Sequence, residues 1–321
     1  MSQTNQIVFQ ANSSPKPAKP ERKGRGKTNS GSNAVRKPPN IPRYRAICVD
    51  VYQLKYMTSK HLEWHHRTVK AEHRLRATNR TLWRMVELGL LRRIELPTYR
   101  SLREGPAPYL YTLDRLGAHL VTQELGIPFA AIDYRPRPSE QNLWFMEHTL
   151  SIVSYLLTLR QACAQRQYEV SWIGESELRR NPERVKLANG ERVSFIPDSY
   201  YVLAKAGAKS HLFLEMDRGT STIHAYSPLQ RRDWTRRMAG YEESLQSGLF
   251  TQRYGFRAMR VTVVTSSHAR LNNLLAATEA AVPGHRDHFW LTTVEQITPE
   301  TVLTAPIWAV AGREDRRYSL V

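Results

Sequence analysis

The chain has 321 residues, 41% of them hydrophobic, and carries 47 Lys and Arg against 29 Asp and Glu, a formal charge of +18. Its two cysteines, Cys48 and Cys163, exclude a disulfide framework and have no metal-type spacing, which fits a reducing cytosol. The longest apolar run, Ile152 to Leu159, is too short to span a bilayer, and MSQTNQIVFQ shows no basic segment leading into an apolar one, so a soluble cytoplasmic protein with no membrane partner is expected.

An excess of this size favours a polyanionic partner, and its placement says more than its total. Residues 1–43 hold nine basic groups and one acid, a net +8, and residues 44–100 hold twelve and five, a net +7. The remaining 221 residues contribute only +3. Residues 1–43 are rich in Pro, Lys, Arg, Gly, Ser and Asn, bury too little to offset ordering entropy, and are expected to be a disordered basic arm.

Residues 44–125 read as helix, helix, helix, hairpin, helix. Arg45 to Tyr56 has helical spacing, Thr58 or Ser59 can cap a second helix from Lys60 to His66, and a third lies within Val69 to Leu88. Thr78 could cap a shorter version of that helix, and Gly89 stops it. Leu90–Leu96 and Tyr109–Leu113 are expected strands, and Asp114 opens a helix from Arg115 to Leu125. This order predicts a winged helix-turn-helix. On its third helix Leu75, Leu82 and Val86 fall on one side, to pack on the first two helices. His73, Arg76, Arg80 and Arg84 fall on the other, to enter a groove of double-stranded DNA. Arg92, Arg93, Arg100 and Arg103 of the wing could reach the adjacent backbone. The plainer alternatives are a solvated basic face or a protein-interaction module.

Residues 126–139 carry three prolines and read as a linker, and from Glu140 the pattern alternates helix and strand. Helices are expected at 140–166, 228–246 and 269–281, and strands at 170–173, 194–203, 211–217, 258–265 and 288–292, with a last apolar segment at 307–310. The expected class is therefore α+β/α/β in two domains: the winged helix-turn-helix, then a mixed α/β domain over 140–321. Within the second, Pro197-Asp198 opens a strand and Glu215-Met216-Asp217 ends the next, with Glu215 and Asp217 on one face. Asp198, Glu215 and Asp217 could hold Mg²⁺ for water activation, with Glu147 as a fourth carboxylate and His148 beside it. The bland alternative makes these acids caps or ion pairs, for instance with Arg218.

The order helix, three strands, helix, strand resembles the PD-(D/E)XK nuclease fold, with Pro197-Asp198 as its "PD" and Glu215 as its "(D/E)". The resemblance implies a catalytic lysine where this chain has Asp217. Arg218 would point to the opposite face and is a poor base. Arg236, Arg237 and Tyr241 on the next helix are candidates for a migrated partner. Residues 44 to about 310 also resemble the replication-relaxation family, through YLYTLDRLGAHLV from Tyr109, Glu147-His148, Pro197-Asp198, FLEMDRGT from Phe213, Arg237, Tyr241 and LTTVEQI from Leu291. That resemblance implies action on plasmid or mobile-element DNA in replication, relaxation or mobilisation, beside replication or relaxase machinery, and no settled reaction. The alternatives are a Mg²⁺-dependent DNA-nicking nuclease and a winged-helix transcriptional regulator. A tyrosine relaxase is disfavoured by the absence of an HxH motif. A homodimer on paired half-sites is expected by analogy with other winged-helix proteins.

Overall fold

Ile47, Cys48, Val51 and Leu54 recur every three or four residues and form the buried stripe of helix α1 (Pro42–Leu54), whose first residue is a proline with φ already set for a helix. The computed structural model describes residues 42–95, 108–132, 134, 143–219, 222–223, 233–284 and 286–321. The expected arm thus lies outside the described residues, apart from Pro42 and Arg43, which belong to α1. A two-residue strand β1 (Met57–Thr58) follows, and Thr58 caps helix α2 (Ser59–Leu62). The Thr58 side chain accepts from the His61 backbone N–H at 3.3 Å, and His61 Nδ1 accepts in return from the Thr58 N–H at 3.3 Å. The single expected helix to His66 is instead α2 followed by a 3-10 turn, Glu63–His66.

Helix α3 (Ala71–Glu87) ends at Gly89, which takes φ of 69°. Thr78 does not cap it. Thr78 is buried mid-helix and its hydroxyl donates to the Arg74 carbonyl at 3.0 Å. Strands β2 (Leu91–Ile94) and β3 (Leu110–Leu113) pair antiparallel, and β1 adds to the other side of β3, so the sheet order is β1-β3-β2. Asp114 caps α4 (Arg115–Leu125), accepting from the Arg115 N–H at 2.7 Å, and Gly126 closes it with φ of 66°.

Gly117 of α4 lies against the start of β2, where an added Cβ would stand 2.0 Å from the Leu90 carbonyl oxygen. Helix propensity alone would reward Gly117→Ala by about 1 kcal/mol. The clash is with backbone, which cannot rotate away. The variant is therefore expected to be destabilised, by about 1–3 kcal/mol as for other overpacked cores. A thermal melt at or above the wild-type midpoint would contradict that close approach.

The remaining elements build a seven-stranded sheet. Helix α5 (Leu143–Arg166) leads to β4 (Glu169–Gly174), a single turn α6 (Glu175–Leu178), and a separate hairpin of β5 (Glu183–Lys186) and β6 (Arg192–Phe195). Then come β7 (Ser199–Lys205), β8 (Ala208–Asp217), α7 (Trp234–Gln246), α8 (Leu249–Tyr254), β9 (Arg260–Thr265), α9 (His268–Ala281), β10 (Phe289–Thr293), β11 (Trp308–Val310) and β12 (Arg313–Tyr318). The sheet order is β12-β11-β10-β9-β8-β7-β4. β8, β9 and β10 are parallel and the other pairs antiparallel. The strand expected over 194–203 is two strands in different sheets. Pro197 has no N–H to give a ladder, and the chain breaks across Ile196–Asp198. Residues 140–142 and 228–232 of the expected helices lie outside the described residues.

Alternation along the strands sorts the two faces. Leu212, Leu214 and Met216 join a core with Val153, Leu156 and Leu159 of α5, while Phe213 joins Met238 and Tyr241 of α7 and Leu274 of α9. The α5 core is continuous with Ile47, Leu82 and Leu91 of the N-terminal elements, and residues 38–321 cluster as one compact unit. The described part of the expected linker folds back on α4, with Phe129 stacked on His119 at 4.5 Å between ring centroids. No helix among the described residues is long and apolar enough to cross a membrane.

Candidate nucleic-acid interface and buried acidic cluster

α3 buries Thr78, Leu82 and Met85 and exposes His73, Arg76, Arg80 and Arg84, as the sequence pattern anticipates for its basic face. The apolar side differs. Leu75 is 47% exposed, because the first turns of α3 run past the core that Leu82 and Met85 enter. Arg84 also pairs with Glu87 one turn on, at 3.1 Å. On the hairpin, Arg92 reaches the capping carboxylate of Asp114 at 3.3 Å, and Arg93 stacks 4.3 Å from the centroid of the Tyr109 ring. Arg100 and Arg103 lie outside the described residues.

The acidic residues gather at the ends of β7 and β8, and each is held by a different partner. Asp198 is buried. Its Oδ2 accepts from the Met216 N–H at 2.7 Å and its Oδ1 lies 3.1 Å from His148 Nε2 on α5. Burial works against a protonated His148, but the hydrogen bond and charge of Asp198, with Glu175 and Glu215, outweigh it and raise the pKa. Glu215 accepts from the Tyr241 hydroxyl at 2.7 Å and pairs with Arg237, both on α7. Burial pushes its carboxyl up to about 7, against the lowering pull of Arg237 and Tyr241 and with a further push from Asp198. Asp217 faces the same side of β8 and meets α9. Arg270 donates to both its oxygens, at 2.9 and 3.1 Å, and Thr265 and the Gly219 N–H add bonds at 2.8 and 3.2 Å. Arg218 turns to the opposite face, as its position on the strand requires, and pairs with Glu147 of α5. Arg236 pairs with Glu191 at the β5–β6 hairpin.

So arranged, the acids do not fit a divalent cation. Mg²⁺ needs open carboxylate oxygens converging on one point. Here guanidinium groups and N–H donors take those oxygens, and among the described residues no group of three or more His, Cys, Asp or Glu is disposed to hold a metal. Arg237 and Tyr241 were legible as members of this site. Arg270 and Thr265 were not. They lie some fifty residues beyond Asp217, and only the parallel pairing of β8 with β9 brings them in.

A family model described as replication-relaxation matches residues 49–259, about two-thirds of the chain. The chain belongs to the replication-relaxation family. The match runs from within α1 to the residue before β9, so for this family member it takes in α3, Asp198, Glu215 and Asp217 but stops short of Thr265 and Arg270. No curated protein and no solved structure matches the chain.

A second ionic group, unforeseen from the sequence, joins α1 to α5. Arg160 Nη1 donates to both oxygens of buried Asp50, at 3.0 and 2.8 Å, and His65 Nε2 lies 2.9 Å from the same carboxylate. Trp64 faces Arg160 with 5.2 Å between ring centroid and guanidinium, and an added Cβ at Gly174 would stand 2.9 Å from the Gln53 carbonyl. Nearby, His61 Nε2 bonds the Ser154 hydroxyl at 3.1 Å. Because His61 Nδ1 accepts the capping bond, Nε2 carries the proton of a neutral ring.

Burial, helped by Lys60, pushes the His61 imidazole down to about 4. Burial opposes the charge on Asp50, but His65 and Arg160 together hold its pKa below the usual value. Both folded values lie below the unfolded ones, so both contributions are intact at neutral pH and lost on acidification. Stability is expected to fall first as pH drops from about 6.5 to 4, where unfolded His61 binds a proton that the folded chain refuses. It falls again from the ordinary aspartate range downward, where the unfolded Asp50 takes up a proton before the folded one does. Urea melts of wild type and His61→Asn across this range check the first step, and identical pH profiles for the two proteins would refute it.

Proposed function

We propose that this protein binds double-stranded DNA through a winged helix-turn-helix and serves replication or relaxation of plasmid or mobile-element DNA. One observation carries the proposal: β1 pairs with β3 in a sheet ordered β1-β3-β2, behind a helix whose outer face is His73, Arg76, Arg80 and Arg84. Helix, strand, helix, turn, helix, strand, strand is the chain order of a winged helix. It leaves α3 outward, of a size to enter a major groove about 12 Å wide. The β2–β3 hairpin, with Arg93, flanks it. Family membership supports the cellular role, and DNA with replication or relaxase machinery as partners. A homodimer on paired half-sites belongs to the same proposal.

The test is a titration of the full chain onto duplex from its own plasmid origin over a range of salt. Affinity should fall steeply and log-linearly with salt, as for a protein that displaces counterions from several phosphates. No binding even at low salt would overturn the proposal.

A nuclease-like core is a second reading, favoured by topology. α5, β4, β7, β8, α7 and β9 follow in the order helix, three strands, helix, strand, with β4, β7 and β8 antiparallel and β9 parallel to β8. We propose that this part holds DNA or a protein partner without cutting, because its carboxylates are closed by Arg237 and Arg270. Supercoiled plasmid incubated with the protein and Mg²⁺ or Mn²⁺ should stay supercoiled. Metal-dependent nicking that disappears in Asp198→Ala/Glu215→Ala would instead make the protein a nuclease.

A further inference from the structure

Between Leu75 and Arg84, three exposed residues of α3 are not basic. Leu75 is 47% and Trp83 60% exposed, and Asn79 between them is exposed as well. They are four residues apart, so each is displaced about 40° around the helix from the last. Together they make a slanting stripe beside Arg76 and Arg80. Of the seven large apolar side chains exposed among the described residues, Leu75 and Trp83 lie on α3 and Tyr109 lies just before β3, while Leu125, Phe129, Val294 and Val321 lie elsewhere. A face that only needed solvating would carry charge throughout, and an interaction site is the usual meaning of such a cluster.

We infer that Leu75, Asn79 and Trp83 are the base-reading stripe of α3, and that the preferred duplex carries A·T pairs opposite them. This rests on the proposal that the chain binds DNA. The occupant is DNA rather than a protein because the stripe is bordered by His73, Arg76, Arg80 and Arg84, in a segment with a net charge of +7. Asn can bond both N7 and N6 of adenine, and apolar side chains recognise the C5 methyl of thymine. The arginines hold phosphates, which fixes the position of the helix and carries no sequence. Successive stripe residues rise about 6 Å along the helix, roughly two base-pair steps. The expected pattern is thymine, adenine, thymine at alternate positions, with the adenine opposite Asn79.

The test begins with selection from a random duplex pool by the full chain. Affinity is then measured for the selected duplex, and for the same duplex with deoxyuridine in place of thymine, which removes only the methyl groups. Wild type should lose about fourfold per methyl. Leu75→Ala and Trp83→Ala should each weaken binding to the thymine duplex and lose about fourfold less than wild type on the deoxyuridine one, and the double variant should show no further loss there. Asn79→Ala should lose about tenfold or more for the selected site while keeping its affinity for random duplex and its salt slope. All three substitutions are at exposed positions, and an unchanged thermal midpoint verifies folding. If the three variants keep wild-type preference while arginine variants weaken binding, the stripe does not read bases. If Leu75→Ala or Trp83→Ala instead breaks a dimer in sedimentation, the stripe belongs to a second copy and the inference falls. If wild type binds no duplex at all, the function proposed above fails, and this inference with it.

Discussion

Asp217→Ala is expected to lower the free energy of unfolding by about 3–5 kcal/mol, the usual cost of removing one member of a buried ion pair. Arg270 is largely buried and gives Asp217 both of its forked donors, and Thr265 and Gly219 complete the carboxylate's bonds. The substitution deprives a desolvated guanidinium of its carboxylate. Asp217→Asn keeps an acceptor for Thr265 and loses the charge, so it should fall between wild type and alanine. Replacing both members with apolar residues of similar volume, Asp217→Leu with Arg270→Met, should recover most of the loss, since two charges are no longer held out of water. Urea unfolding reads all of these, with the midpoint moving and the slope unchanged. An Asp217→Ala midpoint within experimental scatter of wild type would mean that the pair does not form in solution.

The second large effect concerns recognition. Arg80→Ala with Arg84→Ala should weaken duplex binding at every sequence and flatten its dependence on salt by about one unit for each phosphate no longer neutralised. If either guanidinium instead bridges a guanine edge, its removal costs about 1–3 kcal/mol of discrimination at that base. Both side chains are exposed, so stability should hardly change. Arg84 is the weaker member because Glu87 already engages it. Affinity equal to wild type in the double variant would mean that α3 does not face the DNA.

Local chemistry makes the N-terminal elements readable in the sequence itself. Thr58 and Asp114 are caps, Gly89 is a stop, and the basic residues of α3 repeat at helical spacing. Each of these signals acts within a few residues of the element it shapes. Expectation and structure part where tertiary packing decides the outcome. Leu75 has the spacing of a core residue but lies where no core reaches. Residues 194–196 and 199–203 have strand composition, and Pro197-Asp198 divides them between two sheets. The acids Asp198, Glu215 and Asp217 are legible as a set because two of them alternate on one strand. The closure of Asp217 by Arg270, and the bond between Asp50 and Arg160, join residues 53 and 110 positions apart, and nothing local announces such partners.

The Asp50–Arg160–His65 group has a mechanical meaning as well as an energetic one. It bolts α1, which shares a core with α3, to the long helix that backs the β-sheet, and Gly174 lets the two parts touch through backbone. A tethered pair of domains would search independently and tolerate variable spacing between the DNA that each engages. A welded pair acts as a ruler. If α3 enters a groove and the sheet part touches the same duplex, as proposed above, the second contact lies a fixed number of base pairs away and on a fixed side of the duplex. Insertions of half a helical turn between the two target segments should then be far more harmful than insertions of a whole turn.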